Sequence, residues 1–505
     1  YARGVKAQGG WVQIQVLGRG VVATLDEVLL GDAWQPVVCR FRNPGPGVRV
    51  RLLGWVIDTD IHFDDVTVAA IEPPAKETWT WGGGTHPPAE PTGRELFMRQ
   101  PSPAVPGELY VERPTHHTIG LQWMMAGDHN RNAAVEVAFR EKGASDWKPA
   151  LPLHRSLWES VKFPMTGGHV TPNMFAGSVL GLEPGRAYEI RLSLADPDGG
   201  DTVRTVEAAT RPIPPRFEGK RVLHVYPKGA PGKMKPAYEG LAAAYREAIP
   251  GDVLLVHGGF YNEPPDEDGG VYALNKQATA DNPIVIRGAS NEFAVFNGRV
   301  RVPRKTGLFH RSAMRVASVL FNLDGATHHH FENLVLNYCD IGFLVRNSTG
   351  VVVRGCFIEP ILGYGIGMEQ PTASDMTIRD NVFYGGIFEF WDHRDEWLKQ
   401  RGDYGAMHRP YAIFVAGQGH DIAYNTVYGW HDGIDISTYA PPPADPRLRT
   451  CSVDMHHNFI TGMNDDGMEL EPGPCNIIVR ENRFTRNFMA ISFQATYGGP
   501  NYILR

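Results

Sequence analysis

The 505-residue sequence has few cysteines, no run of basic residues and no long apolar segment. Its formal net charge is −7, and without clustered Lys and Arg it lacks the electrostatic footprint of a protein that binds nucleic acid. No apolar stretch approaches the roughly 18 residues that a membrane-spanning helix needs. We therefore expect no nucleic-acid partner and no membrane span. At this length we expect several domains rather than one core.

The second half of the sequence contains a short pattern that recurs coil after coil. One limb ends in Asn381, Asn425, Asn458 and Asn482, and the last two are 24 residues apart, which is close to one turn of a parallel β-helix. In such a solenoid each side chain lies above its counterpart in the next coil, at about 4.8 Å. The asparagines are therefore predicted to form one ladder. Cys339 and Cys356 are predicted to occupy the same position in two earlier coils.

A second limb supplies two columns of large apolar residues that alternate with other positions. This period of two predicts strands whose apolar side chains point into a shared core. The columns are Phe343, Ile366, Ile413, Ile434, Met468 and Ile491, and Val345, Met368, Val415, Ile436, Leu470 and Phe493. The column just before them holds only Gly or Ala. It predicts either a crowded strand start or a bare groove floor that a ligand can approach.

Four of the five cysteines fall in register with the repeat. Cys451 and Cys475 lie on adjacent coils, and Cys339 and Cys356 are predicted to share a column. Stacked coils bring Cα atoms within the roughly 4.4–6.8 Å that a disulfide requires. Two interpretations remain open, namely disulfides within each pair or a reduced, buried column of cysteines.

Two segments before the repeat resemble known β-sandwich modules. GDAWQPVVCRF (31–41) and IHFDDVTV (61–68) resemble the C-terminal half of a jelly-roll carbohydrate-binding module, which assigns residues 1–75 to a partial sandwich. Residues 76–104 are rich in Pro and Gly and are predicted to be a linker. LYVERPTHHTIGLQW, AAVEVAFRE and GLEPGRAYEIRLSLADPDG resemble a fibronectin type III domain, which implies a spacer or docking module over 105–212.

From residue 222 onward the sequence resembles right-handed parallel β-helix proteins of the pectate-lyase-like class. KPAYEGLAAAYREAIPGD predicts an amphipathic helix over about 236–249 that caps the solenoid, and GDVLLVHGGFY predicts the first coil. The predicted fold class is all-β, with a right-handed parallel β-helix over 222–505 preceded by two β-sandwich domains. An open solenoid end exposes apolar core, so we expect further coils or another protein chain to cover the C-terminal end.

Carboxylates concentrate on two consecutive coils, HDGIDIS (431–437) and DDGMELE (465–471), which we call the acidic coils. Like charges about 5 Å apart raise one another's pKa unless a cation neutralises them. Shared protons would give the acid and the base or nucleophile of glycoside hydrolysis. The predicted catalytic residues are Asp432, Asp435, Asp466 and Glu469, with Asp435 stacked on Glu469 and Asp432 beside Asp466.

Two alternatives for the acidic coils remain open. One is a Ca²⁺ ion, the only cofactor expected, held by Asp435, Glu469 and Glu471, because hard oxygen ligands suit that ion. The other is a solvated acidic stripe. His431 lies at a turn beside the carboxylates and could carry a proton.

The acidic coils also resemble the polygalacturonase-like group, in which Asp residues on adjacent coils, including a consecutive pair, act as acid and base. The resemblance implies these roles for Asp432, Asp465 and Asp466. The downstream Gly-His-Gly and Arg-Ile-Lys segments of that group have no counterpart in this sequence. A calcium-dependent polysaccharide lyase or epimerase is therefore kept as the alternative reaction class.

An insertion over about 386–410 interrupts the repeat beside the acidic coils. Its aromatic and cationic side chains predict a wall that recognises a glycan, although the same side chains could simply cover the flank of the β-helix. The predicted substrate-binding residues are Trp391, Arg394, Trp397, Tyr404, His408 and Glu471.

These features together predict a secreted protein, extracellular or on the cell surface, that cleaves or modifies a polysaccharide, with hydrolysis favoured. The competing hypothesis is a non-enzymatic rod that serves as a surface component, filament or adhesin. A rod has no need to concentrate carboxylates on two coils, so the acidic coils separate the two hypotheses.

Overall fold

A computed structural model describes residues 101–157, 160–161, 169–230, 234–263, 270–300, 315–359, 361, 363–367, 372–385, 411–437, 443, 445–470, 475–493 and 497–504, together with six strands in the first 63 residues. The chain divides into two compact units, Tyr1–Pro91 and Thr92–Arg505. No helix among the described residues is long and apolar enough to cross a membrane.

The first unit contains antiparallel strands. Gly10–Gly18 pairs with Gly20–Thr24, Val28–Leu30 and Arg49–Trp55, and Ala2–Gly4 pairs with Ile61–Phe63. This strand content agrees with the predicted β-rich module. The predicted linker before residue 101 lies outside the described residues.

The second unit begins with an antiparallel β-sandwich of two four-stranded sheets. One sheet has, in spatial order, Lys148–Pro149, Ala134–Glu141, Ala187–Ala195 and Thr202–Ala209, and the other has His154–Ser156, Met174–Val179, Ile119–Ala126 and Val105–Val111. A short pair, Ser160–Val161 with His169–Val170, stands apart. Ile190 and Leu192 alternate with more exposed neighbours and are fully buried against Trp123. The Glu183 backbone N–H donates to the Tyr188 hydroxyl at 2.9 Å, a contact between a tyrosine and upstream backbone of the kind found in the tyrosine corner of such sandwiches.

The rest of the unit is a parallel β-helix built from three sheets, which the chain visits in turn. Sheet 1 contains Ala237–Glu239, Arg221–Tyr226, Asp252–Val256, Ile284–Gly288, His329–Glu332, Val352–Arg354, Thr377–Arg379, Asp421–Ala423, Cys451–His456, Cys475–Arg480 and Asn501–Leu504. Sheet 2 contains Gly259–Tyr261, Ala294–Asn297, Val335–Asn337, Phe357–Ile358, Val382–Tyr384, Thr426–Tyr428, Phe459–Thr461 and Arg483–Thr485. Sheet 3 contains Gly270–Ala273, Arg315–Asp324, Cys339–Arg346, Tyr364–Gly367, Tyr411–Phe414, Asp432–Asp435, Asp466–Leu470 and Met489–Phe493, with Arg299–Val300 antiparallel at one side. A 3₁₀ turn, Pro446–Leu448, precedes one coil.

The first apolar column of sheet 3 has the predicted register, because its members pair in order from Phe343 to Ile491. In the second column Leu470 pairs with Phe493, whose side chain is 63% exposed on the last strand of the sheet, and Met368 lies outside the described residues. The Gly and Ala column is a crowded strand start, because a Cβ at Gly433 would overlap the carbonyl oxygen of Gly467 in the next coil.

The asparagine ladder is confirmed. The backbone N–H and side-chain amide of Asn425 both donate to Asn458 Oδ1, each at 3.0 Å, and Asn458 makes the same pair of bonds to Asn482 at 2.9 Å. Cys356 continues the ladder by donating its N–H to Asn381 Oδ1 at 2.9 Å. Each asparagine of the ladder thus supplies hydrogen-bond partners to the neighbouring coil as well as to its own, as buried polar groups require.

The predicted place of Cys339 in this ladder is wrong. Cys339 starts a strand of sheet 3 and pairs with Ala317, whereas the position before Cys356 is held by Leu334, whose carbonyl accepts the Phe357 N–H. A Cys339–Cys356 disulfide therefore has no geometric basis. Cys451 and Cys475 are in register as predicted, yet all four described cysteines are buried and free.

The predicted helix over 236–249 is shorter in the structure, spanning Leu241–Glu247. Ala237–Glu239 forms a strand that pairs in parallel with the end of Arg221–Tyr226, and Gly240, at φ 79°, separates this strand from the helix. The buried face of the helix, Leu241, Ala244 and Tyr245, joins the solenoid core, as a cap must.

The sandwich docks on sheet 1 of the β-helix through polar contacts that are largely buried. These contacts join His116 to Thr377, Tyr110 to Gln418, Arg211 to the carbonyls of Asp375 and Gly419, Ser178 to Tyr502, and Glu112 to Ser452 and Asn476. Gly120 permits the close approach, because a Cβ there would overlap both the Glu112 carboxylate and the Ser452 hydroxyl. The predicted docking role of the second sandwich thus has a concrete partner surface within this chain.

We predict that Asn458→Ala lowers the free energy of unfolding by about 2–3 kcal/mol, because it leaves the buried N–H and side-chain amide of Asn425 without their acceptor. Urea denaturation followed by circular dichroism measures the change. Thr426→Ala, on the outer face beside Asn425, is the matched control and should change stability far less. Equal effects of the two substitutions would show that the ladder does not stabilise the coils.

Candidate active site

The acidic coils place their carboxylates on sheet 3, because the inward side chains fix the register of the two strands. Ile434 pairs with Met468 in the core, and this pairing sets Asp435 directly against Glu469. Phe414 lies on the coil before Asp435, and Ser492 lies on the coil after Glu469. Within this column the acid is therefore confined to two coils, as predicted.

Asp432 is the centre of the group. Its Oδ1 accepts the backbone N–H of Asp466 at 2.8 Å, so the two coils are joined at this carboxylate. Asp432, Asp466 and Glu469 each offer one oxygen atom such that all three lie within 4.8 Å of one another. Ser492 holds the outer side by donating its hydroxyl to Asp466 Oδ2 at 2.6 Å. The prediction that Asp432 lies beside Asp466 is confirmed.

His431 lies between Asp432 and Asp465, which is the first residue of the consecutive aspartate pair. Its Nε2 lies 3.8 Å from Asp432 Oδ2 and 3.7 Å from Asp465 Oδ2, and its Nδ1 lies 3.3 Å from the side-chain amide of Asn464. An amide donor at Nδ1 assigns the imidazole proton to Nε2, where it faces both carboxylates. The side chains of His431 and Asp432 are buried, whereas that of Asp465 is 30% exposed.

Asp435 occupies a different environment from the one predicted. It pairs with Glu469 in register, yet its exposure is 0% where that of Glu469 is 9%. Its Oδ1 accepts the backbone N–H of Ser437 at 2.6 Å, which turns the carboxylate toward its own chain. Asp432, Asp466 and Glu469 are the three carboxylates of the acidic coils whose oxygen atoms lie within 4.8 Å of one another among the described residues. The predicted calcium ligand Glu471 lies outside the described residues, so the set of Asp435, Glu469 and Glu471 stays a prediction.

Burial and neighbouring charge raise the pKa of two of these carboxyl groups. The pKa of Asp432 is raised well above its ordinary value, first by burial and then by Glu469. The pKa of Asp435 is raised by the same two causes in the same order. Groups so shifted hold protons at a pH where free Asp is ionised, which is what a general acid requires.

An aromatic group that the sequence analysis did not identify lies on the coils before the carboxylates. Tyr411 precedes Asp432 in its column and Phe414 precedes Asp435, and their rings pack on Tyr364 at centroid distances of 5.5 and 5.4 Å. Burial chiefly, and then the nearby Asp435, Asp432 and Glu469, raise the pKa of Tyr411. The signal was present in the sequence, because Tyr364 and Tyr411 occupy the position before the Gly and Ala column.

The predicted substrate wall cannot be compared with this geometry. The insertion over 386–410 lies outside the described residues, with Trp391, Arg394, Trp397, Tyr404 and His408, and so does Glu471. Their predicted roles in glycan recognition stay predictions.

Comparison with known proteins identifies the fold. Residues 319–503 match the family model described as a right handed beta helix region. None of the curated proteins matches the chain. The three parallel sheets and the family match together show a right-handed parallel β-helix in a nearly all-β protein.

Three solved structures are similar to this chain at low identity. An alginate lyase from Paenibacillus sp. str. FPU-7 shares 14% identity over 52% of this chain and 96% of its own, with a TM-score of 0.32. The catalytic unit of a thermostable GH87 α-1,3-glucanase from Streptomyces thermodiastaticus strain HF3-3 shares 14% identity over 81% of this chain and 75% of its own, with a TM-score of 0.32. The catalytic domain of a GH87 α-1,3-glucanase in complex with nigerose shares 11% identity over 79% of this chain and 92% of its own, with a TM-score of 0.17. Similarities of this size assign no activity.

We predict that Asp435→Asn raises stability at neutral pH. A carboxyl with a raised folded-state pKa favours the folded state most below its unfolded value of about 3.9, and this contribution is lost as the pH rises through the folded value. Asn keeps an oxygen acceptor for the Ser437 N–H but cannot ionise, so it avoids the destabilisation that the buried carboxylate causes at higher pH. The free energy of unfolding of Asp435→Asn should therefore exceed that of the wild type by about 1 kcal/mol or more at pH 7, and the difference should shrink toward pH 4.

Urea denaturation at intervals between pH 4 and 8 measures this difference, with the surface substitution Asp380→Asn as the control that should shift stability little. Curves for wild type and Asp435→Asn that stay parallel over the whole range would contradict a raised pKa at Asp435.

Proposed function

We propose that this protein hydrolyses glycosidic bonds of a polysaccharide at the acidic coils, with Asp432 and Glu469 as the central pair. The observation that carries the proposal is the meeting of Asp432, Asp466 and Glu469 within 4.8 Å across two coils. Carboxylates at such a separation must share protons or a cation, because full charge on each is costly. Glycoside hydrolysis requires such a pair, in which one carboxyl group is protonated and the other is ionised.

The environments of the two groups assign their roles. Asp432 is the more buried and has a raised pKa, so it holds the proton that a departing sugar oxygen needs. Glu469 is the ionised partner, which acts as nucleophile or as base toward water.

His431 and the aromatic group support the same reaction. The Nε2–H of His431 lies between Asp432 and Asp465 and can stabilise negative charge on either carboxylate during turnover. Tyr411 and Phe414 border the carboxylates on the preceding coils, where an apolar surface suits the C–H face of a sugar ring. A polysaccharide substrate implies an extracellular or cell-surface protein, and the insertion over 386–410 is proposed as a further wall of the site.

Calcium-assisted elimination or epimerisation is the second candidate function. The three oxygen atoms of Asp432, Asp466 and Glu469 form a hard ligand set of the kind that Ca²⁺ prefers. The ion would bind the carboxylate of a uronic sugar and acidify the neighbouring C–H group. A base would then come from His431 or from the cationic residues of the insertion.

A panel of neutral and uronic polysaccharides, assayed with and without a chelator, tests these proposals. Hydrolysis predicts activity that survives the chelator and falls by about 10²–10⁴ or more in both Asp432→Asn and Glu469→Gln. Thermal stability of Glu469→Gln should be unchanged or higher, because a repulsion is relieved. Glu481→Gln, an exposed carboxylate beside Arg480, is the matched control and should keep full activity.

Other outcomes separate the competing hypotheses. Elimination predicts chelator-sensitive cleavage, an unsaturated product, and a Glu469→Gln variant that has lost its stabilisation by added Ca²⁺. Full activity in both Asp432→Asn and Glu469→Gln would remove the acidic coils from the mechanism. No turnover of any member of the panel by a folded protein would favour the non-enzymatic rod.

A further inference from the structure

A second cluster of reactive side chains lies far from the acidic coils, where the sandwich docks on sheet 1. It contains Glu112 from the sandwich and Cys451 and Cys475 from consecutive coils, and we call it the thiol cluster. All three residues are buried, at 1%, 0% and 0% exposure. Their carboxylate oxygen and two sulfur atoms lie within 4.8 Å of one another. Two cysteine sulfur atoms and a carboxylate oxygen this close together can supply three of the four ligands of a tetrahedral Zn²⁺ ion.

The hydrogen bonds around Glu112 are those of an ionised carboxylate. Gln122 Nε2 and Asn476 Nδ2 donate to Glu112 Oε1 at 2.6 and 2.7 Å, and the Ser452 hydroxyl donates to Oε2. Metal-ligating carboxylates are held in place by a second layer of hydrogen-bond donors of this kind.

The two sulfur atoms have different surroundings, and Cys451 Sγ donates to the Arg449 carbonyl at 3.8 Å, as a thiol does. Gln122 Nε2 also lies 3.7 Å from Cys475 Sγ, and Arg449 fixes the orientation of this amide by approaching its Oε1 at 3.4 Å. An amide N–H directed at sulfur stabilises a thiolate more than a thiol. Asn476, which follows Cys475 and is fully buried, has a side-chain oxygen with no hydrogen-bond partner among the described residues.

We propose that Glu112, Cys451 and Cys475 form a structural site for a thiophilic divalent cation, Zn²⁺ being the best match, which fastens the sandwich to the β-helix. The cation would replace the two thiol protons, which pass to solvent, and it would join one ligand of the sandwich to two of the solenoid. Binding should therefore tighten as the pH rises, because the thiols must lose protons. The site is independent of the acidic coils, whose ligands are oxygen atoms.

The full-length protein, purified with a reductant, is incubated with Zn²⁺, dialysed and analysed for metal by mass spectrometry, and in parallel loaded with Co²⁺. We expect one tightly held Zn²⁺ and a Co²⁺ form with thiolate-to-metal charge-transfer absorption. Cys451→Ser and Cys475→Ser should abolish both, whereas Cys356→Ser, a buried cysteine in the asparagine ladder, should keep both. Glu112→Gln, which is isosteric, should weaken Zn²⁺ binding at least about tenfold while keeping the thiolate absorption.

Because serine variants at buried positions can fail to fold, the Co²⁺ spectrum of the wild-type protein is decisive by itself. Absence of thiolate absorption at full Co²⁺ loading would overturn the proposal. So would Zn²⁺ binding that Glu469→Gln removes, since the metal would then sit on the acidic coils. A Cys451–Cys475 disulfide in protein purified without reductant, together with no Zn²⁺ uptake after reduction, would likewise overturn it.

Discussion

The register between successive coils is the constraint on which the rest of this structure depends. Each strand of the solenoid hydrogen-bonds to the next in parallel and without stagger, so a residue meets its counterpart at the strand spacing of about 4.8 Å. Like side chains are thereby forced into contact whether or not they attract one another. Apolar residues such as Phe343 and Ile366 gain from this arrangement, and Asn425 and Asn458 gain because an amide is both donor and acceptor. Carboxylates and thiols gain only if a proton or a cation joins them.

Among the described residues, the acidic coils and the cysteine pair of the thiol cluster both arise from this one constraint. On sheet 3 the register sets Asp435 on Glu469 and brings Asp432 to Asp466, and on sheet 1 it sets Cys451 on Cys475. Neither arrangement is favourable for ionised groups alone, so each implies a partner that offsets the repulsion. In the proposed hydrolysis, protons offset the repulsion between the carboxylates of the acidic coils. In the proposed metal site, a divalent cation offsets the repulsion between the ligands of the thiol cluster. The difference follows from the ligand atoms, because oxygen holds protons or hard cations and sulfur holds soft ones.

The sequence predicts the columns well, because a period of two and a repeated turn fix both which side chains face inward and which coil follows which. It misplaced Cys339, since Leu334 takes the asparagine position in that coil and leaves no polar marker to align. Alternation predicts only that Asp435 points away from the core, and it does not predict that Asp435 is fully buried. The contacts between the sandwich and sheet 1 could not be predicted, because nothing in the sequence distinguishes Gln418 and Thr377 from other surface residues. In the structure these two residues form hydrogen bonds with Tyr110 and His116.

Difference infrared spectroscopy of the full-length protein at neutral pH tests the central claim most directly, since a protonated carboxyl absorbs at a frequency that a carboxylate does not share. The claim is that register keeps carboxyl groups of the acidic coils protonated where free Asp is ionised. We expect a protonated carboxyl band at pH 7 that disappears on alkaline titration and is diminished in Asp432→Asn. A wild-type spectrum with no protonated carboxyl band at pH 7 would contradict it.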